Sequence, residues 1–587
     1  MDESSLNLTS DCGRYIYSDD YIGYLIKYDN DLNGLEEIMQ PDCVQIINNR
    51  FLVAYKESPG TASREELSGF FNYGYHNLPK LYTLMDVPAV EDIGAAAIKS
   101  IPGLNLDGSD VLIGFVDTGI DYANPAFWDA TGKSRIEYIW DQNQTSYMVG
   151  EPVYGFGGEF SREDIEATAD ITVPGDEIGH GTFLASIAAG NENLEENFAG
   201  VAPAASMVMV KLRQAPRPLK EFYKFAPEDI CYSEADIALG ISYLIQKAVQ
   251  LSKPMVICLG VGSTLGDHNG SSNLELYIEN LSGLRGICFV APVGNELGTL
   301  RHFAGNSPVG NVPVNDILRS EAMEINVESG VDGFVLEIWG NAPGLLKIIL
   351  ESPSGQVFDS IPPRNSGAYF DSFLFEGSWV FVENVVVDSL SGDQVYFLRF
   401  ENPAQGIWRI YVQETINQLG AGFNAWITVG QSKQGRVSFI RSSPDITLTA
   451  PGSCQGVITV AAYNNDNNSI YVNSSRGYTR KGRVKPDITA PGVDIVGVFA
   501  TGGASVGRAN PLYSTRSGTS VAAAFAAGAA ALMLQWGIVE RNNLGINTEI
   551  IKQMLVRGAN RQSGVVFPNN IWGWGKLDVL GAYEVSR

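Results

Sequence analysis

Five apolar runs without alternation constrain the fold of this chain more than any other feature. They cover residues 111–116, 207–210, 255–259, 286–290 and 456–461. A strand with one wet face alternates apolar and polar residues, whereas a strand covered on both faces stays apolar throughout. Between the runs, the segment after Ser233 repeats apolar residues at helical spacing. The pattern therefore predicts an α/β fold with a mostly parallel sheet between two layers of helices.

Three short motifs supply a carboxylate, an imidazole and a hydroxyl, in that order along the chain. Asp117 ends the first apolar run, His180 stands between two glycines, and Ser520 opens an Ala-rich stretch of helical character. These groups together convert an alcohol into a nucleophile that can attack an amide. Each alone has a plain structural interpretation: the end of a buried strand, a structural histidine, and a helix cap. Only their conjunction predicts catalysis.

The order and the surroundings of the three motifs resemble those of the subtilisin family. Further segments at residues 201–203, 292–295, 485–492 and 573–578 agree with that family. The resemblance implies that Ser520 attacks the scissile carbonyl, that His180 takes and returns its proton, and that Asp117 orients the imidazole.

Other site residues follow from the same resemblance. Asn295 would donate to the oxyanion beside the Ser520 backbone N–H, although without the other motifs it could be a simple turn residue. The substrate-binding residues would be Leu259, Gly260, Val261, Val293 and Gly294.

Two positions depart from the commonest family pattern. Phe183 replaces a second histidine, and residues 523–525 replace a Ser-Pro-His sequence. Neither belongs to the triad, so they indicate a divergent branch with its own packing.

Changes in the pattern of apolar runs and turn-forming residues divide the chain into four parts. Residues 1–84 hold strand-like runs, and the resemblance implies an α+β pro-segment that is cut within residues 81–86 and stays in the cleft; an N-terminal domain that is never cut is the alternative. Residues 85–315 and 433–587 would form the two parts of a three-layer catalytic sandwich. Residues 316–432 show short β-type runs punctuated by Gly, Pro, Asn and Ser, which predicts an inserted β-sandwich or jelly roll.

Composition excludes several classes of function. The formal net charge of −26 argues against a nucleic-acid partner and against an anionic membrane surface. Residues 1–7 are acidic and polar, so no secretory signal is expected. Six cysteines are scattered singly, which predicts neither a zinc site nor disulfides. The acidic loop at residues 191–196 could hold calcium but is as well explained by solvation, so no metal or other cofactor is predicted.

The architecture as a whole resembles the clostridial germination-specific subtilases, the Csp proteases. That resemblance implies a serine endopeptidase that processes itself, keeps its pro-segment bound, and activates the zymogen of a spore-cortex hydrolase. The expected partners are a protein or peptide substrate and the chain's own pro-segment, in the cytoplasm or the spore. Two other functions stay open: a non-catalytic scaffold or signalling pseudoprotease on the same fold, and a broad-specificity intracellular peptidase.

Overall fold

The computed structural model describes residues 12–85, 87–88, 106–144, 153–167, 173–194, 198–306, 322–359, 361, 363, 365–415, 422–433, 435–501 and 512–586. The predicted boundary between residues 315 and 316, residue 86 at the end of the predicted cutting region, and the polar residues 1–7 lie outside the described residues. The described chain falls into an N-terminal unit, a mostly parallel sheet with its helices, and a pair of antiparallel sheets.

The N-terminal unit, residues 12–85, is built on a small antiparallel sheet. Its elements, together with the short strand that follows it, are α1 (Gly13–Ile16), β1 (Tyr21–Lys27), α2 (Leu32–Met39), β2 (Cys43–Ile46), β3 (Phe51–Glu57), α3 (Arg64–Gly69), β4 (Leu81–Leu84) and β5 (Val87–Pro88). The sheet has the order β1-β3-β2. Helices α2 and α3 begin where the side chains of Asp31 and Ser63 accept backbone N–H bonds, which satisfies donors that a helix start leaves unpaired.

The next part of the chain alternates strands and helices. Its elements are β6 (Leu112–Asp117), β7 (Ile136–Asp141), β8 (Gly158–Ser161), α4 (Arg162–Ala167), α5 (His180–Ala189), β9 (Ser206–Lys211), α6 (Arg217–Phe222), β10 (Tyr232–Ser233), α7 (Glu234–Leu251), β11 (Met255–Leu259), β12 (Val261–Gly262), α8 (Asn273–Ser282) and β13 (Ile287–Pro292). The side chain of Ser233 caps the start of α7 by accepting the Ala235 N–H, and Asp236 of the same helix forms an ion pair with Arg213.

Residues 302–439, called the β region below, form two antiparallel sheets over one shared hydrophobic core. The strands are β14 (His302–Asn306), β15 (Met323–Val327), β16 (Gly333–Gly340), β17 (Leu346–Glu351), β18 (Val357–Phe358), β19 (Gly367–Phe373), β20 (Ser378–Val385), β21 (Val395–Glu401), β22 (Gly406–Glu414), β23 (Gly422–Thr428) and β24 (Val437–Phe439). One sheet has the order β14-β23-β16-β21-β20-β19, and the other has the order β18-β17-β22-β15-β24.

The β region is longer than the stretch 316–432 in which the sequence predicts an insertion. Strands β14 and β24 lie outside those limits, and each pairs with a strand inside them. Both are short edge strands, and β14 contains a glycine and two polar residues. Neither is long or regular enough for its sequence to predict a strand.

The chain then returns to complete the central sheet. The remaining elements are β25 (Ile458–Tyr463), β26 (Ile488–Pro491), β27 (Ile495–Val498), β28 (Tyr513–Ser517), α9 (Thr519–Leu534), α10 (Thr548–Gly558) and α11 (Val579–Glu584). The central sheet has the order β26-β25-β13-β11-β6-β9-β7-β8, and its strands pair in parallel except β7 with β8. The five apolar runs are β6, β9, β11, β13 and β25, which confirms the predicted parallel sheet.

Helices cover both faces of the central sheet. Helices α5 and α9 pack with Ile113 and Phe115 on one face, and α7 and α8 pack with Leu112 and Val116 on the other. Successive residues of a strand point to opposite faces, so strands covered on both sides have no wet position. The result is the predicted three-layer α/β arrangement.

Helix α9 and the helical turn that follows it are together long and apolar enough to resemble a membrane span. The segment Thr519–Val539 has a mean hydropathy of 1.7, but 89% of its window is buried inside the protein. Its alanines and glycine let it lie close to the sheet. It is therefore packed as a core helix.

The N-terminal unit contacts both other parts of the molecule. Strand β1 crosses α7 closely, since a Cβ at Gly23 would lie 3.3 Å from the Cβ of Ala235. The hydroxyl of Tyr75 donates to Glu337 of β16 at 2.6 Å, and its ring meets Trp339 edge-on at 5.3 Å. The unit is thus held between α7 and the outer face of the β region.

One sequence prediction about the N-terminal unit is wrong. Cys12 and Cys43, 31 residues apart, form a disulfide that ties the start of α1 to β2. The pairing depends on α1 packing against the small sheet, which their sequence spacing does not reveal. Cys231, Cys258, Cys288 and Cys454 are buried free thiols, as expected for cysteines that act as small apolar residues.

Candidate active site

Asp117, His180 and Ser520 meet at one edge of the central sheet. Asp117 is the last residue of β6, His180 is the first residue of α5, and Ser520 is the second residue of α9. The carboxyl ends of parallel strands share an edge with the starts of the helices that follow them. The parallel topology therefore brings together three residues that lie up to 403 positions apart.

The three side chains form a hydrogen-bonded chain. His180 Nδ1 lies 2.6 Å from Asp117 Oδ1, and His180 Nε2 lies 3.1 Å from Ser520 Oγ. All three residues are buried. When Nδ1 donates to the carboxylate, Nε2 is left as the acceptor for the serine hydroxyl. The arrangement can therefore deprotonate Ser520.

Asp176 positions this chain and was missed by sequence analysis. Its carboxylate accepts hydrogen bonds from Thr118 Oγ1 at 2.9 Å, from the Gly179 N–H at 2.7 Å and from the Thr182 N–H at 2.9 Å. Asp176 thereby joins the loop that directly follows Asp117 to the first turn of α5, where His180 lies. The residue follows Pro174 and Gly175 in a loop, and no motif marks it.

Asn295 lies in the loop after β13, beside the start of α9. Its Oδ1 accepts the Thr519 N–H at 3.1 Å, and Thr519 Oγ1 accepts the Gly294 N–H at 3.2 Å. The amide oxygen is thus used to hold Asn295 in place. Its Nδ2 is the donor end of the carboxamide, and Asn295 lines the same cavity as Met85.

Strand β4 occupies a cleft next to these residues. It pairs antiparallel with β12 through Leu84 and Thr83, and antiparallel with β10 through Tyr82 and Leu81. It is the central strand of a three-stranded sheet in which both neighbours come from the parallel-sheet part. An extended peptide bound by strand addition takes this form.

The carbonyl of Met85, the residue after β4, points at Ser520. Its oxygen accepts hydrogen bonds from the Ser520 hydroxyl, at 2.8 Å, and from the Ser520 backbone N–H, at 3.3 Å. The Met85 side chain is buried, and its sulfur packs next to Gly262, where a Cβ would lie only 3.2 Å from it. This carbonyl belongs to the peptide bond between Met85 and Asp86. The register of β4 therefore presents one particular peptide bond to the serine.

The predicted substrate-binding residues have different environments. Val261 pairs with Leu84 of the cleft strand. Gly260 lies directly against the side chains of Asp117 and His180. A Cβ at this position would be 2.8 Å from His180 Cε1 and would collide with Asp117 Oδ2. Leu259 is buried in β11, and the backbone of Val293 bonds to residues 449 and 460. Gly294 has a φ of 106°, a conformation that glycine adopts without strain.

No metal site stands out in the described part of the chain. Its residues contain no group of three or more His, Cys, Asp or Glu side chains that could hold a metal ion. Residues 195 and 196 of the acidic loop lie outside the described residues.

Glu234 is the first residue of α7 and directly follows β10, a neighbour of the cleft strand. Its backbone N–H donates to the Lys80 carbonyl at 3.1 Å, just ahead of β4. Among the described residues, neither oxygen of its buried carboxylate meets a hydrogen-bond donor. Burial raises the pKa of Glu234 to about 7, against the opposing charge of Lys80 and with a small further rise from Glu275. Glu234 is thus a buried acid that titrates near neutral pH.

We expect Glu234→Gln to stabilise the protein increasingly as the pH rises from 5 to 8. Between pH 4.5 and 7 the folded wild type keeps a proton on Glu234 that the unfolded chain has lost, so its stability falls as the pH rises. Glutamine removes this dependence, which amounts to about 3 kcal/mol over the full range. Denaturant unfolding of both proteins across this pH range measures it. Exposed Glu37→Gln is the control, and parallel pH curves for wild type and Glu234→Gln would contradict the prediction.

Comparisons with known proteins agree on one family. The model of the subtilase family, peptidase family S8, matches residues 108–315 and 412–575. The unmatched stretch between them holds seven strands of the β region, from β15 to β21. The solved structure of the CspB protease of Clostridium perfringens aligns with a TM-score of 0.70 at 27% sequence identity, covering 84% of this chain and 98% of that one.

Similar sequences carry matching descriptions over shorter stretches. The serine protease AprX of Bacillus subtilis is 34% identical over 149 residues, which cover 23% of this chain and 32% of AprX. The subtilisin-like protease SBT6.1 of Arabidopsis thaliana is 37% identical over 149 residues, which cover 24% of this chain and 13% of that protein. The chain thus spans a third or less of the length of these two relatives.

Proposed function

The chain belongs to the subtilase family of serine endopeptidases, and on that premise we propose that it cuts its own chain between Met85 and Asp86 with an Asp117-His180-Ser520 triad. The observation that carries the proposal is the Met85 carbonyl oxygen, 2.8 Å from Ser520 Oγ and 3.3 Å from the Ser520 nitrogen. The carbonyl is thus in reach of both the nucleophile and a backbone donor.

The proposed reaction follows from these positions. Ser520 Oγ attacks the Met85 carbonyl carbon while His180 Nε2 takes the hydroxyl proton, and Asp117 stabilises the resulting imidazolium. The negative charge that develops on the carbonyl oxygen is held by the Ser520 N–H and by Asn295 Nδ2. His180 then gives its proton to the amine of Asp86, which leaves. Water attacks the ester between Met85 and Ser520 and releases the Met85 carboxylate.

Residues 1–85 would remain bound as the pro-segment after this cut. Strand β4 keeps backbone pairs with β10 and β12, and Tyr75 of the same segment keeps its hydrogen bond to Glu337 of β16. None of these contacts depends on the Met85–Asp86 bond. A bound pro-segment would block the cleft until it is displaced. The proposed parts are therefore a pro-segment, two halves of a catalytic domain, and an inserted jelly-roll-like β region.

We further propose that the substrate in trans is a zymogen of a spore-cortex hydrolase, and that the protein acts in the spore. This rests on the likeness to the CspB protease over 84% of the chain. A general intracellular peptidase would instead digest casein, and a pseudoprotease would digest neither. The pseudoprotease is disfavoured because Asp117, His180 and Ser520 form one hydrogen-bonded chain, and the Thr519 N–H separately holds Asn295 at the start of the helix that carries Ser520.

The new chain end is expected at Asp86, and Met85→Ala should not move it. The backbone pairing of β4, rather than the Met85 side chain, sets which carbonyl reaches Ser520. Peptide mass mapping of purified wild type and Met85→Ala identifies the ends. Cutting in both proteins after residue 85, slower in the variant, supports the proposal. An end at another residue, or a shift of the cut in Met85→Ala, would contradict it.

A further inference from the structure

A cavity of about 670 Å³ lies beside the cleft strand and next to the proposed oxyanion hole. Its lining includes the strand from Thr83 to Met85 and the loop from Glu296 to Arg301. Gln431 and Ser438, at the end of the β region, also line it. The parallel-sheet part, the β region and the peptide in the cleft therefore all contribute residues to the lining of the cavity.

Arg301 brings a buried guanidinium to this cavity. Its side chain is 6% exposed, and its backbone carbonyl accepts the Ile427 N–H at 3.0 Å, which fixes it at the start of β14. Within the described chain, its Nε and Nη2 donate to no acceptor. Burying such donors without a partner costs free energy, and more so for a charged group.

Glu296 is the other charged side chain among the described residues that line the cavity. Its Oε2 lies 3.8 Å from Arg301 Nη1, beyond hydrogen-bond distance, and 3.1 Å from Thr299 Oγ1. Glu296 thus approaches the guanidinium of Arg301 only at Nη1. Nε and Nη2 form an edge with two parallel donors, the geometry that binds a carboxylate through both oxygens.

Thr83 is the residue of the cleft strand that pairs with Gly262, and its hydroxyl donates to the Gly262 carbonyl at 3.5 Å. Residues 81, 83 and 85 share one face of the extended strand, and Tyr82 and Leu84 share the other. Thr83 is half-buried and lines the cavity, and its side chain is short. The Met85 sulfur, by contrast, lies against Gly262. A longer side chain at position 83 would extend into the cavity.

We propose that this cavity is a specificity subsite for an acidic side chain at the third residue before the cut, the position of Thr83, with Arg301 as its counter-ion. The inference rests on the proposed protease function, because it takes residues 81–85 as a guide to how substrates lie in the cleft. The pro-segment itself carries threonine at this position. A substrate with Glu or Asp there would bind more tightly than the chain's own tail and could displace it.

The test measures how firmly the tail is held, in protein that cannot cut. Full-length Ser520→Ala carries either Thr83→Glu or its uncharged isostere Thr83→Gln, each with Arg301 or with Arg301→Gln. Hydrogen exchange of the peptide that covers residues 81–85 reports opening of β4, and exchange in β11 reports the integrity of the fold. With Arg301, the Glu variant is expected to exchange about tenfold more slowly than the Gln variant. With Arg301→Gln, this difference should vanish.

Two outcomes would overturn the inference: equal exchange of Thr83→Glu and Thr83→Gln beside Arg301, or the same slowing when Arg301 is absent. The first comparison needs no change at Arg301, so it stands even if Arg301→Gln fails to fold. Because every protein lacks the serine hydroxyl, the result does not depend on catalysis. Failure of the protease proposal would appear separately, as an uncut wild-type chain.

Discussion

Replacing Ser520 with alanine is expected to slow cleavage after Met85 by about a millionfold, so that the chain stays whole. The change removes the one hydroxyl that lies 3.1 Å from His180 Nε2 and 2.8 Å from the Met85 carbonyl oxygen. It leaves the packing of α9 almost unchanged, since one oxygen atom is lost from a helix rich in alanine. The rate of appearance of a fragment that begins at Asp86 measures the effect.

His180→Ala is the matched variant for this prediction, because the two side chains act as a unit. The single changes should cost similar factors, and the double variant should be no slower than either. Thermal unfolding of all three proteins checks that they fold. Residual cleavage of Ser520→Ala at the wild-type rate would assign the cut to another protease, and additive losses would contradict a shared step.

Replacing Asn295 with leucine is expected to slow the same cleavage by about 100-fold to 1,000-fold. Leucine keeps the size of the side chain but has no donor for the charge that develops on the Met85 oxygen. The Ser520 N–H, 3.3 Å away, would remain as the other donor, so the loss should be smaller than for Ser520. A time course of processing in Asn295→Leu and wild type measures it.

Asn295→Asp serves as the control for position. It keeps an oxygen for the Thr519 N–H, which Asn295 Oδ1 accepts at 3.1 Å, but it lacks the donor. Cleavage should therefore be slow in both variants although only leucine removes the bond to Thr519. If Asn295→Asp processes at the wild-type rate, Asn295 holds α9 in place and does not stabilise the oxyanion.

The three triad residues that sequence analysis found share one property: each lies at the end of a buried strand or in the first turn of a buried helix. Asp117 ends an apolar run, and Ser520 opens a stretch of small residues that can lie only in a core. In a parallel sheet such positions converge on one edge. Their meeting was therefore predictable from local patterns once the parallel sheet was recognised, and the hydrogen-bond distances agree with it.

Other features depend on contacts that no local pattern encodes. Asp176 is one polar residue in a loop, and its role comes from Thr118 and Thr182, which reach it only after folding. Met85 meets Ser520 because of the register of β4, although its neighbourhood was predicted as the cutting region. Arg301 precedes a strand that is too short to predict, and its unpaired edge is visible only beside the β region.

The most direct test of the central claim is the intact mass, under denaturing conditions, of the purified wild type beside Ser520→Ala. We expect two wild-type fragments, residues 1–85 and 86–587, and a whole chain for the variant. A wild-type chain that stays whole, or an alanine variant that is cut at the same bond, would contradict it.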